Sequence, residues 1–246
     1  MRLRLGIAIT VVLTFVFLVL SAPAAILERL GPSSNPIKVA GCTGWLWATG
    51  SCRIFMKSND GWLPAGVISY VWRVSRDSGV HLVLDHDGRA AGTIHPSLDG
   101  WIARNLEFRL STLPTGLLPK HISDPWQPTG RLAITASLLS CGWDSGECAG
   151  KGRLQIDNLC AGKAGSLLGD YLMDIEIRPG GHIHGQLTTP SGPLMLQGTF
   201  EKSPGQKPRI VGRATMGAEV GDDVRQLFGA IAQQDGANSF TLSGSR

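Results

Sequence analysis

Apolar and polar residues alternate with a period of two in segment after segment of this 246-residue chain, a period that admits little besides β-strand. Ile68, Tyr70, Trp72 and Val74 share one parity, while Ser69 and Arg73 hold the other. The pattern returns at Leu106/Phe108/Leu110 against Glu107 and Arg109, and at Leu132/Ile134/Ala136/Leu138 against Arg131, Thr135 and Ser137. It continues at Leu154/Ile156, at Tyr171/Met173/Ile175/Ile177 and at Leu194/Leu196/Phe200. Between these segments stand turn residues such as Asp87-Gly88, Pro128-Thr129-Gly130, Pro179-Gly180-Gly181, Pro190-Ser191-Gly192 and Ser203-Pro204-Gly205. Connections so short join antiparallel neighbours, and a strand with one apolar face belongs to a sheet packed on one side. The expected fold is therefore mainly β: an antiparallel sheet domain, built as a curved open sheet over its own hydrophobic groove or as a sandwich. Gly at 32 of 246 residues, about 13% against an average near 7%, fits many turns.

Helix is scarce. Asp222 or Asp223 can cap a short C-terminal helix in which Val224, Leu227, Phe228 and Ile231 recur at i, i+3, i+4 and i+7, a stripe that should lie against the sheet. A weaker helical expectation falls between Leu98 and Asn105, ahead of the breakers Leu113-Pro114 and Leu118-Pro119.

The amino-terminal part follows different rules. Residues 1–5 carry Arg2 and Arg4, and an uncharged run follows from Gly6 to Leu27, long enough at 1.5 Å per residue to cross the ~30 Å core of a bilayer. The positive-inside rule leaves residues 1–5 as a cytoplasmic tail and sends residues 28–246 across. Residues 28–38, with Gly31-Pro32-Ser33-Ser34-Asn35-Pro36, read as a linker, and residues 39–246 as the exported β domain. A cleaved signal peptide would export the same domain, since Ser21-Ala22-Pro23-Ala24-Ala25 holds an A-x-A site. The length of the run and Pro23 inside that site favour an uncleaved anchor.

Five cysteines suit an exported domain. Cys42 and Cys52 are ten apart, and Cys141 and Cys148 flank what looks like a hairpin tip, so two short-range disulfides are expected. Cys148–Cys160 is the rival pairing. Structural zinc is disfavoured because no C-x2-4-C spacing occurs.

The search for chemistry returns no candidate catalytic residue and no cofactor motif. Gly-x-Ser-x-Gly is absent, and Gly162-Lys163 lacks the rest of a P-loop. His182 and His184 share a strand face and could hold a metal, but beside Gln186 and Thr188 they read as a solvated face. Asp85-His86-Asp87-Gly88 reads as a hairpin tip. Net charge is +4 with no basic run, which argues against a nucleic-acid partner. Trp45, Trp47 and Trp62 cluster just after the linker. Equal parity predicts that one strand face buries Trp45 and Trp47 in the core, with a belt at a bilayer interface as the alternative.

With these features in place, the chain resembles protein N of the type II secretion system, also called general secretion pathway protein N. Gly44-Trp45-Leu46-Trp47-Ala48-Thr49-Gly50-Ser51-Cys52-Arg53-Ile54 resembles the element that opens that family's periplasmic domain, and residues 67–74 its next, Trp-bearing strand. Ala149-Gly150-Lys151-Gly152-Arg153-Leu154 resembles its Gly-x-Gly strand, and Leu168-Gly169-Asp170-Tyr171 its Leu-Gly-x-Tyr. Leu227 and Phe228 fall in a stretch resembling its closing helix. The cysteines at 42, 141, 148 and 160 depart from the pattern. The resemblance implies a single-pass protein of the bacterial inner membrane with its carboxy-terminal domain in the periplasm. It also implies an accessory role in protein secretion, with the secretin or the inner-membrane platform as partners, and no enzymatic activity. A second reading, from the apolar face alone, is a periplasmic lipid-binding or lipid-transfer β protein.

Overall fold

The computed structural model describes residues 21–30, 37–58, 61–76, 79–114, 126–144, 146–162, 165–236 and 238–245. Its strands are β1 (Ile37–Gly44), β2 (Thr49–Ser58), β3 (Gly61–Ser75), β4 (Gly79–His86), β5 (Arg89–Pro96), β6 (Gly100–Leu110) and β7 (Thr129–Gly142). These continue as β8 (Cys148–Ala161), β9 (Ser166–Arg178), β10 (His182–Ser191), β11 (Leu194–Lys202), β12 (Arg209–Met216), β13 (Gln233–Gln234) and β14 (Ser239–Ser245). From β1 to β12 each strand pairs with the next in sequence, β14 follows β12, and β13 lies outside β14. All of them form one antiparallel sheet of 14 strands, with β1 and β13 at its two ends. Of the two architectures that alternation allows, the open sheet is the one present.

Register carries one apolar face across almost the whole sheet. Tyr70 stands opposite Leu84, Leu82 opposite Ile94, and Phe108 opposite Ile134. The series continues as Ile134 opposite Leu154, Leu154 opposite Met173, and Met173 opposite Leu187. Leu196 opposite Ala214 and Ala214 opposite Phe240 complete it. Cross-strand partners point to the same side of a sheet, so the face is continuous.

Two elements cover that face, one toward each end. The helix Asp222–Ile231 buries Val224 and Phe228 among Tyr171, Leu194, Met216 and Phe240. Phe228 meets the rings of Trp126 and Phe240 edge-on at centroid distances of 5.4 and 5.9 Å. The helix lies on the sheet as its stripe predicts, but the cap differs from expectation: Gly221 occupies the N-cap and makes no side-chain cap bond. Asp222 and Asp223 sit in the first turn instead, where carboxylates favour the positive end of the helix dipole, and Val224 N donates to Asp223 Oδ1 at 2.9 Å.

Toward the other end, residues 21–30 form a 3-10 turn (Ala24–Ile26) and a short helix (Leu27–Leu30). Ala24, wholly buried, and Leu27 pack with Tyr70, Leu84 and Ala91. Leu46 N donates to Ala22 O at 2.9 Å, and Cys42 N donates to Glu28 Oε1 at 2.7 Å. The last residues of the apolar run thus rest on the domain, while Gly6 and the run up to residue 20 lie outside the described residues. No helix among the described residues is long and apolar enough to cross a membrane.

Three expectations are corrected by long-range pairing. The segment from Leu98 to Asn105 is not helical: Leu98 lies in the β5–β6 turn, and residues from Gly100 onward belong to β6, held between β5 and β7. A short helix buries too little to compete with ladder bonds on both sides. Leu138 leaves the face shared by Leu132, Ile134 and Ala136, because a bulge between Ala136 and Leu138 sets it opposite Lys151. Trp45 and Trp47 are 52% and 46% exposed, not core. The chain turns between β1 and β2 at these residues, so strand parity does not apply to them.

Disulfides join Cys42 to Cys52 and Cys141 to Cys148, leaving Cys160 as a half-buried thiol in place of the rival Cys148–Cys160 pairing. Mass spectrometry of unreduced peptides should recover both links. Replacing both members of either pair by Ser should cost about 2–3 kcal/mol, the chain-entropy value for loops this short. Recovery of both pairs of peptides unlinked from unreduced protein would contradict the pairing.

Candidate functional site

The parts of this molecule that are available to a partner are a stretch of its apolar face, its two strand edges and its hairpin tips. Between the two covering elements the face is half-buried, with no element laid over it among the described residues. Phe108, Ile134, Leu154, Met173, Ile175 and Ile177 lie there, and Ile134 is 37% exposed. On the same face an apolar cleft of about 170 Å³ is walled by Met173, Leu187, Leu196, Phe200, Ile210 and Leu242. Its floor is bare backbone, since Gly198 stands opposite Gly212. A site of this size and apolarity is comparable with the ~150 Å³ cavity that accepts a benzene ring.

Each edge is only partly protected. On β1 a register shift between Ala40 and Thr43 interrupts the ladder, and Glu28 takes the Cys42 N–H. Residues 37–40 have no outer partner among the described residues. At the far edge β13 shields only Phe240 and Thr241 of β14, leaving residues 242–245 without an outer partner among the described residues. An unpaired strand edge is a template for another chain.

The residues that carried the resemblance hold turns and crossings in place. Gly44 and Gly50 are paired at the top of β1 and β2. Tyr70 Oη donates to Trp45 O at 3.3 Å and Trp72 Nε1 to Leu46 O at 2.9 Å, which clasps the turn carrying Trp45 and Trp47 onto β3. Trp47 also lies 6.1 Å, centroid to centroid, from Trp72. Gly150 and Gly152 face the Leu138 and Thr135 carbonyls of β7, beside the bulge that turns Leu138 outward. Tyr171 Oη donates to Leu168 O at 3.1 Å and Leu194 O at 2.8 Å. Burial pushes its phenol well above the usual tyrosine range, so it stays a donor at any ordinary pH. Beside it, Asp170 accepts from Asn158 N and Ser191 Oγ, both at 2.8 Å, and these bonds hold its carboxyl below the usual range. Phe228 is in the core already described, and the side chain of Leu227 lies outside the described set.

The histidines found in the sequence go to separate tasks. His182 Nδ1 pairs with Ser203 Oγ at 3.1 Å, and His184 Nδ1 lies 3.7 Å from Glu201 Oε1. His86 is buried, with Nε2 2.9 Å from Ala65 O and its ring edge-on to Phe108. Asp87 and Gly88 take positive φ at the β4–β5 turn, as a hairpin tip requires. No group of three or more His, Cys, Asp or Glu placed to hold a metal ion occurs among the described residues.

Sequence reasoning missed Glu28, whose carboxylate caps the bulged edge, and the Tyr70 and Trp72 clasp. The first is the first charge after the apolar run, a legible signal. The clasp had none, since its partners are 25 and 26 residues away. The family model of type II secretion system (T2SS), protein N, matches residues 61–243. No curated protein and no solved structure matches the chain.

Proposed function

The chain belongs to the type II secretion system protein N family, and from that premise we propose that it is an inner-membrane accessory component whose periplasmic β domain scaffolds the secretion machine. In this reading the apolar run up to residue 20 anchors the chain, its last residues being packed on the sheet, and the domain contacts the secretin or the inner-membrane platform during export of folded proteins across the outer membrane. The observation that supports it best is the pair of open edges at residues 37–40 and 242–245. Each can accept an added strand, a mode in which main-chain bonds supply affinity and alternate side chains supply specificity. The role calls for binding surfaces and no bond-making chemistry.

Cross-linking of tagged, natively expressed protein in intact cells, followed by solubilisation and mass spectrometry, tests this reading. Secretin or platform subunits are expected, joined through peptides from β1 or β14. Their absence would remove the scaffolding role. The half-buried apolar stretch and the Gly-floored cleft favour a second reading, in which the face shields acyl chains. Phospholipid recovered with no secretion subunits would put that reading first.

A further inference from the structure

In an antiparallel meander every second hairpin turn falls at the same end of the sheet. The turns β1–β2, β3–β4, β5–β6 and β7–β8 therefore share one end. That end carries Trp45 at 52% exposure, Trp47 at 46%, Val74 at 81%, Val80 at 51%, Leu98 at 99% and Trp143 at 56%. Single exposed apolar residues are ordinary, but six large ones gathered on successive hairpin ends make a rim. The turns at residues 179–181 and 203–208 at the same end carry no aromatic ring, so the tryptophans of the rim stop with β8, although Ile210, 47% exposed, lies beside the second of these turns.

Three of the four tips are tied down. Trp143 N donates to Asp99 O at 3.1 Å and Trp143 Nε1 to Ser97 O at 3.0 Å, tying the β7–β8 tip to the β5–β6 tip. Tyr70 and Trp72 hold the β1–β2 tip. Both disulfides lie directly beneath the Trp-bearing tips, Cys42–Cys52 under Trp45 and Cys141–Cys148 under Trp143. The Trp143 ring is anchored by its Nε1 and the Trp45 tip by its backbone, while all three indoles stay about half exposed, which suits a medium that is apolar on one side and wet on the other.

The position of the apolar run identifies that medium. Pro23 bridges Trp45 and Ala22 O accepts from Leu46 N, so the chain that follows the apolar run reaches the domain at the Trp45 tip. We infer that this end of the sheet docks on the lipid bilayer, with Trp45, Trp47, Leu98 and Trp143 inserted at the membrane interface and the strands rising from it. This inference shares the membrane anchor with the reading above and adds the orientation of the domain. Near the rim, Arg73 and Arg76 are offset by Asp99, Asp144 and Glu147. Docking by apolar insertion is then insensitive to salt, unlike attachment through a basic patch.

The full chain reconstituted in vesicles of phosphatidylethanolamine and phosphatidylglycerol with brominated acyl chains provides the test. Bromine quenches tryptophans that enter the bilayer. Quenching is expected in the native chain, unchanged by added NaCl and unchanged by Trp62→Phe, since Trp62 lies at the opposite end. The triple variant Trp45→Phe/Trp47→Phe/Trp143→Phe, which keeps aromatic bulk, should lose most of it. Leu98→Asp, at a side chain that touches almost nothing, should reduce it without unfolding the domain. Carbonate-resistant flotation reads the anchor separately. A chain that floats without quenching, or whose quenching survives the triple variant or falls with Trp62→Phe, overturns the docking and leaves the anchor standing. A chain that fails to float overturns both.

Discussion

Phe228→Ala is expected to lower the unfolding free energy by about 3–5 kcal/mol, the range for an aromatic side chain removed from a core. Phe228 is 4% exposed and sits between the Trp126 and Phe240 rings, so its loss leaves a cavity that neither ring can close without moving backbone. It also frees the helix Asp222–Ile231, whose other deeply buried contact among the described residues is Val224. Chemical denaturation of the two proteins side by side checks this, and an unchanged midpoint would mean that the helix is not docked in solution. A partial loss of helix signal ahead of the main transition would be the accompanying sign, because the helix covers one end of an open sheet.

Gly169→Ala should cost about 3 kcal/mol or more, from two causes that act together. Gly169 has φ 129°, a region that residues with a Cβ rarely adopt, which costs of order 1–3 kcal/mol. A Cβ there would also collide with Ser191 O and lie 2.7 Å from Gly192 Cα, on backbone that cannot swing aside. Leu168 and Tyr171, on either side, belong to the larger core, so displacement would travel into it. Gly229→Ala is the control of opposite sign. That glycine lies in the helix with open space around its Cβ position, and Ala should add about 0.5–1 kcal/mol. Equal destabilisation by both substitutions would sink the argument from local geometry.

Much of the fold was legible because its signals are local. Alternation at residues 68–74 and 171–177 requires strand, since the side-chain period of two is a property of the extended backbone itself. The spacing of Val224 and Phe228 requires a helix with one buried stripe. Cys141 and Cys148, on either side of a short tip, were legible as a pair because a hairpin sets its flanking residues opposite each other. What failed was whatever depends on a neighbour far along the chain. Leu138 changes face because of a bulge that answers β8, and Leu98 to Asn105 join a sheet because β5 and β7 stand on both sides of β6. Of the candidate site, the apolar parity was readable, but not that a half-buried stretch of it would lie between two covers.

Legible from the residues alone are an antiparallel β domain with one apolar face, a short C-terminal helix and two short-range disulfides, with Cys148–Cys160 left open as a rival pairing. Each of those follows from residues close together, where backbone geometry and side-chain spacing leave few alternatives. That the sheet stays open, that residues 21–30 and the helix cover its two ends, and that Trp45 and Trp47 are exposed at a hairpin tip emerge from long-range packing. The reason is that which face is covered, and by what, depends on register summed over successive pairings. A one-residue bulge reverses every side chain beyond it, and nothing within a strand records the bulge in its partner.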